Sequence, residues 1–159
     1  MAFRSWVILS AGVILTACDP SNSAGDDDIL PATESVKEFG DYVVYFNALT
    51  TNQLDADIAE ANDIVRSNSR ALLNIVMEHR PEIGAPRVVP GEVRASARNL
   101  TGQLRNLLVR EISEGDSIYY IAETAIANSE SLIFTIEATP ESTDTPLVVR
   151  FQKQFFVDE

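Results

Sequence analysis

Met77 and His79 are the two side chains of this sequence whose types and spacing could hold a metal ion. Residues two apart in a β-strand project to the same face, and a thioether beside an imidazole suits copper. Two ligands do not complete a site. Met77 also continues an apolar stripe with Leu73 and Ile75, which favours a core methionine followed by a histidine at the strand end. Copper handling by His79 and Met77 is therefore the alternative function.

The sequence contains few residues that could carry out catalysis. His79 is the only histidine and Cys18 the only cysteine, so a nucleophilic triad would need His79 as its sole base. No serine occupies a nucleophile elbow, and no two carboxylates stand out as an acid/base pair. We expect a protein that is not an enzyme, with no catalytic residue and no cofactor.

Arginine is concentrated in the middle of the sequence. Residues 66–110 contain eight arginines, no lysine and three acidic residues, in a chain of net charge −12. Guanidinium forks suit carboxylate or phosphate, and Arg66, Asn68 and Arg70 form a polar segment before a predicted strand. This segment is the candidate binding loop. The alternative is that these arginines bond to the backbone and pair across strands with acids such as Glu111, Glu123 and Glu137.

The start of the chain has the pattern of a bacterial lipoprotein signal. Arg4 precedes an apolar run over residues 6–17, and Leu15-Thr16-Ala17-Cys18 matches a lipobox. The run is too short for a bilayer-spanning helix, which needs about 20 residues. We expect residues 1–17 to be removed and Cys18 to carry the lipid that attaches the protein to a membrane.

The residues after Cys18 predict location and spacing. An aspartate such as Asp19 directly after the lipidated cysteine retains enteric lipoproteins at the inner membrane, so we favour the periplasmic face of that membrane. The outer membrane stays open because the rule differs between bacterial groups. Residues 18–35 are rich in Ser, Asn, Gly, Asp and Pro and predict a flexible acidic linker. Residues 36–159 then form one domain without a disulfide.

From residue 41 onward, apolar and polar side chains alternate in the manner of β-strands. The predicted inward stripes lie within 42–46, 73–77, 93–97, 118–126, 132–138 and 147–151, and residues 104–112 supply a seventh strand. Only residues 53–65 have helical spacing. Short turns between strands imply antiparallel pairing. The sequence therefore predicts an all-β, immunoglobulin-like antiparallel sandwich with one short helix, and a barrel is the alternative.

One tyrosine adds a detail to this prediction. Asp116-Ser117-Ile118-Tyr119-Tyr120 resembles the Asp-x-x-x-Tyr corner of immunoglobulin-like domains, with Ala122 at the place of the antibody cysteine. The motif favours the sandwich over the barrel.

Four separated blocks carry a resemblance to a known family. They occupy residues 39–44, 66–75, 99–103 and 115–122, and include Phe39-Gly40-Asp41-Tyr42 and Gly115-Asp116-Ser117-Ile118. In this order they resemble the exported bacterial proteins catalogued as domain of unknown function 4426. The resemblance spans about residues 36–158 and implies a small exported all-β domain. It implies no activity, ligand or catalytic residue.

The combined prediction is a lipid-anchored periplasmic module that binds another protein of the cell envelope. Its strongly acidic charge argues against a nucleic-acid partner. Sheet edges or loops, with Arg66, Asn68 and Arg70 first among them, are the expected binding surfaces.

Overall fold

The computed structural model describes residues 28–157. The predicted signal peptide, the lipidation site Cys18 and the sorting residue Asp19 lie outside this range. Within it the chain forms ten strands and one α-helix, with a 3-10 turn shortly before the helix. The strands are β1 Val36–Phe39, β2 Tyr42–Thr50, β3 Arg70–His79, β4 Arg87–Val88, β5 Gly91–Asn99, β6 Leu104–Leu107, β7 Val109–Glu114, β8 Ser117–Ala125, β9 Ser131–Pro140 and β10 Leu147–Gln154. The 3-10 turn is Thr51–Gln53, and helix α1 is Ala56–Ala61.

The strands pair antiparallel in two sheets, which confirms the predicted β-sandwich. The larger sheet has the order β1-β2-β3-β8-β7, with β4 added to the end of β3. The smaller sheet has the order β10-β9-β5-β6. Neighbours along the chain therefore pair through short turns in several places, as the turn residues predicted.

The structure corrects the predicted number of strands. The single strand expected over residues 104–112 is two strands, because β6 belongs to the smaller sheet and β7 to the larger one. Leu108 lies between them and is 87% exposed, so the chain crosses from one sheet to the other at this residue. The short strands β1 and β4 were not predicted, since two to four residues show too little alternation to be recognised.

The core lies between the sheets and follows the predicted stripes. Leu73, Ile75 and Met77 on β3 are buried, as are Leu132, Phe134 and Ile136 on β9. Phe134 and Phe151 stack with ring centroids 5.1 Å apart. The period-two pattern thus identified the inner face of both sheets correctly.

Tyr120 and Gly91 join the sheets across this core. The Gly91 backbone N–H donates to the Tyr120 hydroxyl at 2.9 Å. A tyrosine corner would instead bond to the backbone a few residues upstream, so the corner interpretation of Asp116 to Tyr120 is wrong. Gly91 also has no room for a side chain, because an added Cβ would lie 2.2 Å from the Thr139 carbonyl oxygen.

Leu30 belongs to the segment expected to be a linker, yet it pairs with the smaller sheet. Its N–H donates to the Arg150 carbonyl at 2.8 Å, and its carbonyl accepts from the Gln152 N–H at 3.0 Å. The pairing forms a parallel bridge to Phe151. Within residues 28–157, no helix has the length and apolar character needed to cross a bilayer.

Candidate binding groove

The larger sheet has a second apolar cluster on the face that points away from the core. Leu72 and Ile121 lie on β3 and β8 and pack against Ala59 and Ile64 from the α1 region. These four side chains are buried. Helix α1 therefore covers part of an outer sheet face that would otherwise expose large apolar side chains.

Thr51 holds this covering segment in place. Its side chain is fully buried, and its Oγ1 lies 2.9 Å from the Val65 carbonyl and 3.1 Å from the Ser67 carbonyl. The same oxygen accepts the Ser67 N–H at 2.9 Å. A buried polar group needs hydrogen-bond partners. Here one buried hydroxyl finds them at the other end of the segment between β2 and β3, and it thereby joins the two ends of that segment.

Arg110 ties the far side of the covering segment to the sheet. Its Nη2 donates to the Asn62 carbonyl at 2.5 Å and lies 4.0 Å from a Glu123 carboxylate oxygen. The residues after α1 are thereby held over β7 and β8.

Helix α1 leaves a groove between itself and the sheet. The groove has a volume of about 420 Å³, which falls within the usual size of ligand pockets. Its apolar lining comes from both α1 and the sheet: Leu49, Leu54, Ile58, Ala61, Ile64, Leu72, Ile112, Tyr119 and Ile121. Ile58 is 51% exposed, so the groove opens to solvent along the helix.

Four polar side chains complete the lining: Asp57, Asn62, Asn74 and Glu114. Asn74 comes from the middle of β3, and its Oδ1 is buried without a hydrogen-bond partner in the described part of the chain. Asp57 and Glu114 are exposed and lie on the two opposite walls, α1 and β7. None of the residues lining the groove is a lysine, arginine or histidine.

The predicted binding loop lies beside this covering segment and is engaged by its neighbours. Arg66 Nη2 donates to the Asn52 carbonyl at 2.8 Å, and Asn68 Oδ1 accepts from the Asn52 side chain. Arg70 Nη1 lies 3.2 Å from a Glu123 carboxylate oxygen. These contacts are the backbone bonding and ion pairing that the sequence offered as the alternative, and they leave neither guanidinium free of protein contacts.

Met77 and His79 lie on β3 in the predicted relation. Met77 is fully buried within the core, and the His79 ring lies 4.9 Å from the Tyr42 ring, centroid to centroid. His79 Nδ1 is buried and has no hydrogen-bond partner between residues 28 and 157. No cluster of three or more His, Cys, Asp or Glu side chains in that range could hold a metal ion.

Sequence reasoning missed the groove, and the available signal was not specific. β3 and β8 contain consecutive apolar residues, Ala71-Leu72-Leu73 and Tyr120-Ile121-Ala122, which is typical of strands covered on both faces. β9 contains Leu132-Ile133-Phe134 in the same way, although it belongs to the smaller sheet. Such runs therefore do not tell which sheet carries a cover.

Comparison with solved structures found two informative neighbours. A DUF4426 family protein from Pseudomonas aeruginosa PAO1 is 31% identical with a TM-score of 0.67, covering 78% of this chain and 95% of that one. FetP from uropathogenic Escherichia coli strain F11, recombinantly expressed in the periplasm of E. coli, is 11% identical with a TM-score of 0.57. That match covers 78% of this chain and 94% of FetP and shows a shared fold alone.

Comparison with curated proteins gave no match. The sequence model of the domain of unknown function DUF4426 matches residues 36–158, nearly the whole of the described region. The chain therefore belongs to the DUF4426 family.

Proposed function

We propose that this protein is a lipid-anchored binding or accessory module of the cell envelope, whose groove beneath α1 engages another periplasmic protein. The observation that carries the proposal is the open apolar groove itself. A sheet face that is half covered and half open leaves apolar surface in water, and such surface is typical of binding sites. No catalytic residue is assigned.

The position of the N-terminal segment determines how an anchor would orient the groove. In the larger sheet the groove is built mainly on β3, β8 and β7, whereas β1 lies at the opposite end of the strand order. The chain enters the domain next to β1, after Leu30 has paired with β10. A lipid on Cys18 would therefore hold the domain by the side away from the groove.

The anchor can be tested independently of the groove. With Cys18→Ser behind a signal peptide that is cleaved without lipidation, we expect the protein to leave the membrane fraction of cells, because acyl chains supply the membrane affinity. Exchange of Asp19 for serine should move the anchored protein from the inner to the outer membrane. Radiolabelled palmitate should enter the wild-type protein and not Cys18→Ser, and a wild-type protein without label would contradict lipid anchoring.

The groove is tested by a photo-crosslinking amino acid placed at Ile58 in cells. We expect one defined product, which Ile112→Ser in the opposite wall abolishes and Glu111→Ser on the same strand does not. A crosslinker at Glu92, on the outer face of the smaller sheet, is the matched control. The same products at both positions, or a product unaffected by Ile112→Ser, would contradict a specific groove.

Copper handling is the second candidate, and it rests on the unpartnered His79 Nδ1. A buried imidazole nitrogen without a hydrogen bond is free to bind a metal ion, and Met77 lies two residues away on the same face of β3. The test is a titration with Cu(I). Stoichiometric binding that both His79→Ala and Met77→Leu abolish would support it, whereas binding unchanged in His79→Ala would rule it out.

A further inference from the structure

We infer that the groove binds a basic apolar segment of its partner, with apolar side chains beneath α1 and a lysine or arginine at the rim. This inference rests on the proposed function and specifies the chemistry of the partner. Its first support is the sign of the charges around the groove. Asp57 from α1 and Glu114 from β7 line the groove, and its lining contains no cationic side chain. Arg110 lies beside the groove, but its guanidinium is engaged by the Asn62 carbonyl and by Glu123.

The lack of ion-pair partners for these two carboxylates also favours a cationic ligand. Neither Asp57 nor Glu114 forms an ion pair with another residue of the described range, whereas Glu123 and Glu130 each lie within 4.0 Å of an arginine nitrogen. Two unpaired carboxylates beside an apolar surface favour a ligand that carries positive charge. Because both carboxylates are exposed, salt screens this attraction, so the preference for a cationic ligand should weaken at high ionic strength.

Asn74 supplies the polar contact on the groove floor. Its Oδ1 is buried and lacks a hydrogen-bond partner within residues 28–157, which is costly for a polar atom. A donor on the ligand, such as a backbone N–H or an ammonium group, would satisfy this atom. A purely apolar ligand would leave the Asn74 Oδ1 unpaired. Asn74 therefore favours a ligand that carries hydrogen-bond donors over one that has none.

The neighbouring strand favours a peptide over a small amphiphile. β7 carries Ile112 and Glu114 of the groove and is the end strand of the larger sheet, since it pairs only with β8 in the described region. An end strand offers unpaired backbone groups to an extended segment. A peptide could therefore pair with β7 and direct alternate side chains toward the groove.

The experiment measures binding of three labelled synthetic peptides of equal length by fluorescence anisotropy. The peptides alternate Leu with Lys, Leu with Glu, or Ser with Lys. The full chain is purified as the cell produces it and held in neutral phosphatidylcholine nanodiscs, with empty nanodiscs as the blank. We expect the Leu/Lys peptide to bind at least about tenfold more tightly than either of the others.

Charge reversal provides the decisive variant. Asp57→Lys with Glu114→Lys should reverse the preference in favour of the Leu/Glu peptide. Glu60→Lys with Asp116→Lys is the control pair, and it changes the net charge by the same amount. Glu60 lies on α1 and Asp116 follows β7, but neither residue lines the groove, so the peptide preference should stay unchanged. Circular dichroism of both pairs checks that the fold is kept.

Three results would overturn the inference. The first is equal binding of all three peptides. The second is the same reversal of peptide preference in the control pair, which would show that the preference depends only on the total charge of the protein. The third is a different occupant, shown by octylamine binding as tightly as the Leu/Lys peptide or by dimers that Ile58→Lys dissociates. A specific crosslink from Ile58 to a different protein, together with any of these results, would keep the proposed function and reject only this partner chemistry. A crosslink between two copies of this chain would reject both.

Discussion

The two sheets present opposite kinds of outer face. On the smaller sheet the outward residues of β5 and β9 include Glu92, Arg94 and Glu137, and Arg94 pairs with Glu92 at 2.7 Å. On the larger sheet the outward residues of β3 and β8 include Leu72 and Ile121, both buried under α1. The first face is mainly polar, although Ile133 on β9 is buried there. The second face carries an apolar cluster that α1 covers only in part. This difference is why the proposed binding surface is placed on the larger sheet.

The largest effect is expected where the two sheets that support both faces are joined. In Gly91→Ala, the new Cβ would lie 2.2 Å from the Thr139 carbonyl oxygen and 2.8 Å from Pro140 Cα. Backbone atoms must move to admit it, so we expect a loss of about 3 kcal/mol or more in the free energy of unfolding.

Urea unfolding measures this loss, and Ser96→Ala on the same strand is the control. A Gly91→Ala protein as stable as wild type would mean that β5 and β9 can separate without cost, contrary to the close approach at this residue.

The comparison itself is tested by shortening one side chain on each outer face. Leu72→Ala removes a buried side chain under α1 and should cost about 3 kcal/mol. Val148→Ala, on the half-buried outer face of β10, should cost about 1 kcal/mol or less. Thermal and urea unfolding of both variants give the difference. Equal costs would show that α1 adds no burial to the larger sheet.

The smallest effect is expected at Tyr120, whose hydroxyl joins the two sheets inside the core. Burial raises the pKa of the Tyr120 phenol above its ordinary value of 10.0, and the Gly91 N–H partly opposes this shift. Since the folded-state pKa is the higher one, the stability that the neutral phenol contributes is fully present below pH 10 and is lost as pH rises through the folded pKa.

Unfolding free energy measured against pH should therefore decline above pH 10 more steeply in wild type than in Tyr120→Phe. At pH 7 that variant should lose about 1 kcal/mol, because the Gly91 N–H loses its acceptor. Identical alkaline profiles would remove Tyr120 as the cause.

The inner half of the fold was predictable from sequence, and the outer half was not. Leu73, Ile75 and Met77 are buried because they share one face of a strand, which period two reveals directly. Whether Leu72 on the other face is buried depends on α1, and α1 is held there by Thr51 and Arg110 through contacts with residues distant in sequence. No local pattern encodes such contacts.

The same reason explains the fate of the predicted loop. Arg66 and Arg70 were chosen for their chemistry, but their partners Asn52 and Glu123 come from other segments. The groove residues Asp57, Asn74 and Glu114 lie on three different elements. Each is unremarkable in sequence, and only the tertiary fold brings them around one space.

The pairing of Leu30 with β10 affects how the domain would respond to a pulling force on its N-terminus. If the chain is anchored at Cys18, tension from the anchor reaches the ion-paired Asp28 first and then Leu30, where two hydrogen bonds join it to Arg150 and Gln152. These bonds and the Lys37–Asp28 ion pair must rupture before the load passes to β1. The strands of the groove lie at the other end of the larger sheet, so a pull from the membrane would reach them last.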